Sequence, residues 1–195
     1  MDLQPEVSLR RFRELGVQDI DEMLNPYRQL GVFHDLEMGL VGREEFVARL
    51  NEHAGTDLTD EQINEAIMLF LKGVPQYKFD YLEQLRKKYK IYILSNTNPY
   101  IMAYAHSSHF LPATGRTLSD YVDKVYASCD MQTMKPDRAI YEQMIADSGM
   151  VPESTLFIDD STANLEAAAA LGLQTLLAVN GSDWRPALEV RLQHE

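Results

Sequence analysis

At 195 residues, with 45% hydrophobic and 25% charged content, the chain is long enough for one good core plus a small accessory unit, and its balance excludes a disordered polymer. A net charge of −12 and a pI near 4.8 exclude nucleic acid and anionic membrane as general partners, so an anionic substrate would need a locally positive site. A single cysteine, Cys129, excludes an internal disulfide, and with no membrane-length apolar run and no signal-peptide pattern the chain is expected to be soluble and cytoplasmic.

In chain order, the first helix is predicted over 7–15, directly after Pro5 and with no strand before it, and Gly16 ends it. From 17 to 73 apolar residues recur at helical spacing: Ile20, Met23 and Leu24, then Phe46, Val47 and Leu50, then Ile63, Ala66, Ile67 and Phe70. Thr59 to Gln62 is a capping-type start for the last of these. No strand pattern interrupts the region, which predicts a small all-helical unit of about four helices. Arg28, His34 and Arg43 lie in it, and charges of this kind either select a substrate or simply solvate a helical face.

After Val74-Pro75 the pattern changes, which sets the expected boundary between a helical region, 1–75, and an α/β region, 76–195. A helix is predicted over 79–89, with Arg86, Lys87 and Lys88 near its carboxyl end, where cations suit the helix dipole. A buried strand over 91–94 follows and ends in Ser95-Asn96-Thr97-Asn98-Pro99, which by itself reads first as turn chemistry. Residues 99–120 are poorly patterned and predict a surface loop. His106 and His109 within it have no Cys or third His nearby to complete a zinc site.

A second strand is expected over 122–127, then Lys135-Pro136 ahead of a helix over 138–149. The dipole disfavours a lysine at that helix start unless an anion is near. The strand 155–158 runs into Asp159-Asp160, followed by a helix over 161–171 stopped by Gly172. A last strand, 174–179, and a terminal helix, 184–192, complete an alternation that predicts a parallel, doubly wound sheet. Asp160 or Ser161 could serve merely as an N-cap, but two adjacent carboxylates repel unless a cation or a lysine sits with them. Cys129 has little nucleophilic character, since Asp130 beside it opposes the thiolate.

Three elements of this half thus end in complementary groups, and in a parallel sheet such ends point the same way. Ser95 and Asn96 suit phosphate oxygens, Lys135 neutralises charge, and Asp159 and Asp160 suit Mg²⁺. No group in the set is an obvious nucleophile.

The runs Leu94-Ser95-Asn96-Thr97-Asn98, Lys135-Pro136 and Phe157-Ile158-Asp159-Asp160, with Asn164 and Ala167, resemble motifs two, three and four of the haloacid dehalogenase-like superfamily, specifically its phosphatases with a helical cap. The resemblance implies a Rossmann-like core, with 1–75 as the cap, and Mg²⁺-dependent hydrolysis of a small phosphomonoester through an aspartyl-phosphate. It implies that Ser95 and Asn96 bind the phosphate, that Lys135 bridges phosphate and carboxylates, and that Asp160 is the direct Mg²⁺ ligand with Asp159 behind it. The family's first motif, a central strand ending in the nucleophilic aspartate, has no match here. Asp2 resembles instead the family's acid a few residues past that nucleophile. The expectations are therefore a chain trimmed of its central first strand, inactive as it stands, or else a noncatalytic phosphate-binding or regulatory relative.

Overall fold

The computed structural model describes residues 2–24, 30–179 and 181–193. Two compact units divide the chain, residues 1–132 and 133–195. The first unit opens with strand β1 (Asp2–Leu3) and helix α1 (Pro5–Glu14). Pro5 occupies the first turn of α1, where its missing N–H is not needed, and Gly16 at φ +99° ends the helical run. Four helices follow, α2 (Ile20–Met23), α3 (Gly31–Glu37), α4 (Arg43–Ala54) and α5 (Asp60–Met68), in agreement with the spacing. Thr59 caps α5 as its sequence implies: its side chain accepts from Gln62 N–H, and the Gln62 side chain accepts from Thr59 N–H at 2.9 Å.

Two expectations fail in this region: strand β1 precedes the first helix, where none was expected, and a second strand interrupts 17–73. Strand β2 (Leu71–Gly73) pairs antiparallel with β1, where no strand pattern had been visible. Two- and three-residue strands carry no measurable alternation, and only the long-range pairing defines them.

The core of the helical region is built from the periodic residues. Phe12, Val17, Ile20, Leu36, Phe46, Leu50, Ile63 and Ala66 are completely enclosed. Phe12, Phe33, Phe46 and Tyr100 form a chain of edge-to-face contacts with centroid separations of 5.0–6.0 Å. Such contacts add about 0.5–1.5 kcal/mol each beyond area burial.

Helix α6 (Gln76–Leu85) leads to strand β3 (Tyr92–Ser95), helix α7 (Pro99–Ala105), strand β4 (Lys124–Ala127) and the short helix α8 (Ser128–Met131). Helix α7 corrects the loop expected over 99–120. Asn98 caps it, accepting from Tyr100 N–H and Ile101 N–H, and Pro99 starts it. Strands β3 and β4 are parallel, Tyr92 opposite Lys124 and Ser95 opposite Ala127. A second apolar cluster centres on Phe79, Phe110 and Tyr121.

The second unit contains α9 (Arg138–Ser148), β5 (Leu156–Asp159), α10 (Thr162–Ala169), β6 (Gln174–Leu177) and α11 (Arg185–Leu192). Asp137 caps α9 and Gly149 closes it in the left-handed conformation, with Pro136 just ahead of the cap rather than inside the helix. Strands β5 and β6 are parallel, Leu156 opposite Gln174 and Asp159 opposite Leu177. Buried Ile140, Tyr141, Met144, Phe157, Leu165 and Ala168 make the core. Among the described residues, no helix is long and apolar enough to cross a membrane.

Candidate functional site

In the first unit, Ser95 is the last residue of β3, held by the ladder to Ala127, and exposed Asn96 follows it. Thr97 is then fixed by a reciprocal clasp with Ser128. Its N–H donates to Ser128 Oγ at 2.9 Å, and that hydroxyl donates to Thr97 O at 3.0 Å. Both residues are buried, so the polar backbone of this turn is satisfied without solvent. The Thr97 hydroxyl is buried with no hydrogen-bond partner among the described residues. The two groups expected to meet phosphate are thus carried on a turn anchored on both sides.

In the second unit, Lys135 Nζ donates to Asp159 Oδ2 at 2.7 Å, with the two side chains only 11% and 7% exposed. This is the anion that a lysine near a helix amino terminus requires. The other oxygen, Asp159 Oδ1, accepts from Ser161 N–H and from Asn164 Nδ2, each at 2.9 Å. Both oxygens of Asp159 are therefore engaged. Asp160, one residue on, is exposed and has no partner among the described residues. Ser161 caps α10, accepting from Asn164 N–H at 3.4 Å, so the capping role falls to Ser161 and not to Asp160. Tyr141 braces the start of α10, its hydroxyl donating to Asn164 O at 3.0 Å. Burial, and after it the Asp159 charge, push the Tyr141 hydroxyl well above its ordinary value.

The geometry divides the two carboxylates: one is braced, the other open. Mg²⁺ is held by one or two carboxylates together with waters and phosphate oxygens, and hard oxygen donors of this kind suit it. Asp160 offers such a donor. No cluster of three or more His, Cys, Asp or Glu occurs among the described residues, so protein ligands alone do not surround an ion.

Of the other residues singled out in the sequence, Arg43 is bound to Asp60 and lies 4.1 Å over the Tyr100 ring, which makes it structural. His34 lies 3.4 Å from Asp35, His106 bonds Ser119, and Arg28 lies outside the described residues. Asp2 accepts from Lys78 Nζ at 3.0 Å, which holds its carboxyl below the usual range. Burial, reinforced by Asp130, pushes the Cys129 thiol up to about 11, in line with its poor nucleophilic context. Sequence reasoning missed Ser128 and Glu37. Ser128 follows a strand with nothing local to mark it. Glu37 carries one legible sign, an acid at a helix carboxyl end, against the dipole.

Comparison with known proteins finds relatives along nearly the whole chain. A family model described as haloacid dehalogenase-like hydrolase matches residues 7–172. A D-ribitol-5-phosphate phosphatase of Bacteroides thetaiotaomicron is 39% identical over 192 residues, 98% of this chain and 93% of that protein. Among solved structures, a predicted HAD-like family hydrolase from Porphyromonas gingivalis superposes with a TM-score of 0.93 at 48% identity, covering 100% of this chain and 93% of that one. An aspartate-to-alanine variant of a HAD family enzyme from B. thetaiotaomicron, in complex with magnesium and inorganic phosphate, gives a TM-score of 0.90 at 34% identity, covering 96% and 92%. The fold is accordingly the α/β, Rossmann-like one of these enzymes. On this match, and on the identity and coverage of these relatives, the chain belongs to the haloacid dehalogenase-like hydrolase family.

Proposed function

We propose that the protein serves the Mg²⁺-dependent hydrolysis of a small phosphomonoester, with Ser95 and Asn96 binding the phosphate, Lys135 neutralising it, Asp160 holding the metal and Asp159 orienting the lysine. The observation that carries this reading is the buried Lys135–Asp159 pair, braced by Ser161 and Asn164 beside an open Asp160. A buried ion pair is a weak stabiliser, and its retention at a strand's carboxyl end is better explained by chemistry. Mg²⁺, when bound, supplies charge neutralisation at the phosphoryl oxygens. The Ser95 hydroxyl and the Asn96 amide have donors for phosphate oxygens. The Asp159 carboxylate accepts from the Lys135 ammonium and so aims it, and an ammonium carries three N–H groups.

In this reading residues 1–75 are the cap that meets the alcohol portion, and 76–195 are the core that handles the phosphate. The relative named for D-ribitol 5-phosphate supports a polyol phosphate as the substrate class. No aspartate in residues 1–195 matches the family's nucleophile motif, so these residues alone are expected to bind phosphate without turning it over.

The test is a titration of inorganic phosphate in Mg²⁺ against residues 1–195 and the Lys135→Ala variant, beside an assay of phosphate release. The expected result is phosphate binding weakened about tenfold or more by the substitution, with no Mg²⁺-dependent release. Equal binding by the variant would overturn the site. Robust release that Lys135→Ala abolishes would show that another group has taken the nucleophile's role.

A further inference from the structure

Within the first unit, a cavity of about 30 Å³ has walls of Leu24, Phe33, Ile67 and Phe70, with Ser8, Asn98 and Glu37 as its polar members. Two of these polar groups are already committed. Ser8 Oγ donates to Ala66 O at 2.7 Å, and Asn98 Oδ1 caps α7. Glu37 is different: it is densely surrounded and has no hydrogen-bond or ion-pair partner among the described residues. Its position is unfavourable three times over. It is half-buried, it lacks a donor among the described residues, and it ends α3, where the helix dipole opposes negative charge. Nothing in the packing requires a carboxyl there, because the remaining wall is apolar and a leucine or methionine would fill the space.

The cavity is joined through the chain to the proposed phosphate turn, since Asn98 lies two residues beyond Asn96. Its volume is close to the share of one water in the liquid, room for a hydroxyl-sized group and not for a ring. Glu37 is also rigidly placed. Two residues on, Gly39 packs so tightly on the Cys129 carbonyl that a Cβ would lie 1.9 Å from its oxygen.

We propose that Glu37 is a specificity-determining residue, its carboxyl accepting hydrogen bonds from hydroxyl groups on the alcohol portion of the phosphomonoester and favouring neutral polyhydroxylated alcohols over those with a second anionic group. This rests on the phosphomonoester reading above. A half-buried acceptor on a cavity wall, with no protein donor among the described residues, rewards a ligand hydroxyl and penalises its absence. A second phosphate or carboxylate on the ligand would be partly desolvated beside an acid that supplies no countercharge, whether that acid is protonated or ionised.

The test measures equilibrium binding of glycerol phosphate and of inorganic phosphate, each in Mg²⁺, to the protein and to its Glu37→Gln and Glu37→Ala variants, with thermal midpoints recorded alongside. The expected result is that both variants keep their affinity for inorganic phosphate, that the preference for glycerol phosphate falls about tenfold in Glu37→Ala, and that neither variant melts lower. An unchanged preference in folded variants would overturn the assignment while leaving the phosphate site standing. A lowered midpoint with the preference intact would make Glu37 structural and overturn it too. Failure of the unsubstituted protein to bind inorganic phosphate would overturn the phosphomonoester reading, and the Glu37 assignment with it.

Discussion

Replacing Lys135 by alanine tests the second unit most directly. With Lys135 and Asp159 only 11% and 7% exposed, loss of the ammonium strands a carboxylate that solvent barely reaches. Breaking one side of a buried pair costs about 3–5 kcal/mol. Ser161 N–H and Asn164 Nδ2 still donate to Asp159 Oδ1, which places the expected loss near the lower end, roughly 3 kcal/mol. The same lysine substitution made on an Asp159→Asn background should cost much less, because no charge is then left behind. A double-mutant cycle should therefore return a coupling of about 1–3 kcal/mol. Urea unfolding of the four proteins, followed by circular dichroism, gives the energies, provided the denaturant slope is unchanged. A coupling near zero with folded variants would refute the argument, since it would mean that the two groups do not act as a pair.

Burial raises the Glu37 carboxyl from its ordinary 4.5 to about 7, so in the folded chain it stays protonated through a range where the unfolded chain has lost the proton. Its contribution to stability is thus complete below about pH 4.5 and lost as pH rises through 7, a change of up to roughly 3 kcal/mol. Glu37→Gln should remove that slope, so its advantage in thermal midpoint should grow between pH 4.5 and 7; a constant difference would show that the carboxyl is not withdrawn from solvent. Gly39→Ala should lower stability by about 2 kcal/mol or more, because Gly39 combines φ +64° with a backbone oxygen in the Cβ position. Gly55→Ala, at φ +65° with nothing within 4 Å, is the control and should cost about 1 kcal/mol; equal losses would remove the clash from the account. Calorimetry should find Mg²⁺ binding weaker than low micromolar, and weaker still in Asp160→Asn, because protein carboxylates supply few of the oxygens required.

Much of this molecule was legible where a local signal coincided with the global structure. Thr59 with Gln62, Gly149 and the spacing of Phe46, Leu50, Ile63 and Ile67 mark helices by caps and period, and the helices are there. The parallel strands were legible too, though each sits within a few residues of its expected bounds, because apolar runs of four residues do not fix their own ends. The misses have a common cause. Strand β2 exists only through its pairing with β1, the clasp of Thr97 with Ser128 joins residues 31 apart, and Glu37 takes on meaning only from what fails to surround it. At the site, Lys135 and Asp159 could be paired by chemistry alone, a lysine at a helix start needing an anion. The roles of Ser161 and Asn164 as donors to one oxygen required geometry.

The Thr97–Ser128 clasp bears on how a ligand would be received. Ser95 is fixed by the ladder and Thr97 by the hydroxyl, so Asn96 spans two anchors with no slack between them. A loop amide ordinarily exchanges its proton with solvent quickly, but the Thr97 N–H should exchange as slowly as the strands around it. On the proposed reading, an anion arriving at this turn would meet donors already in place. Little ordering entropy is then lost on binding, and more of the contact energy remains as affinity.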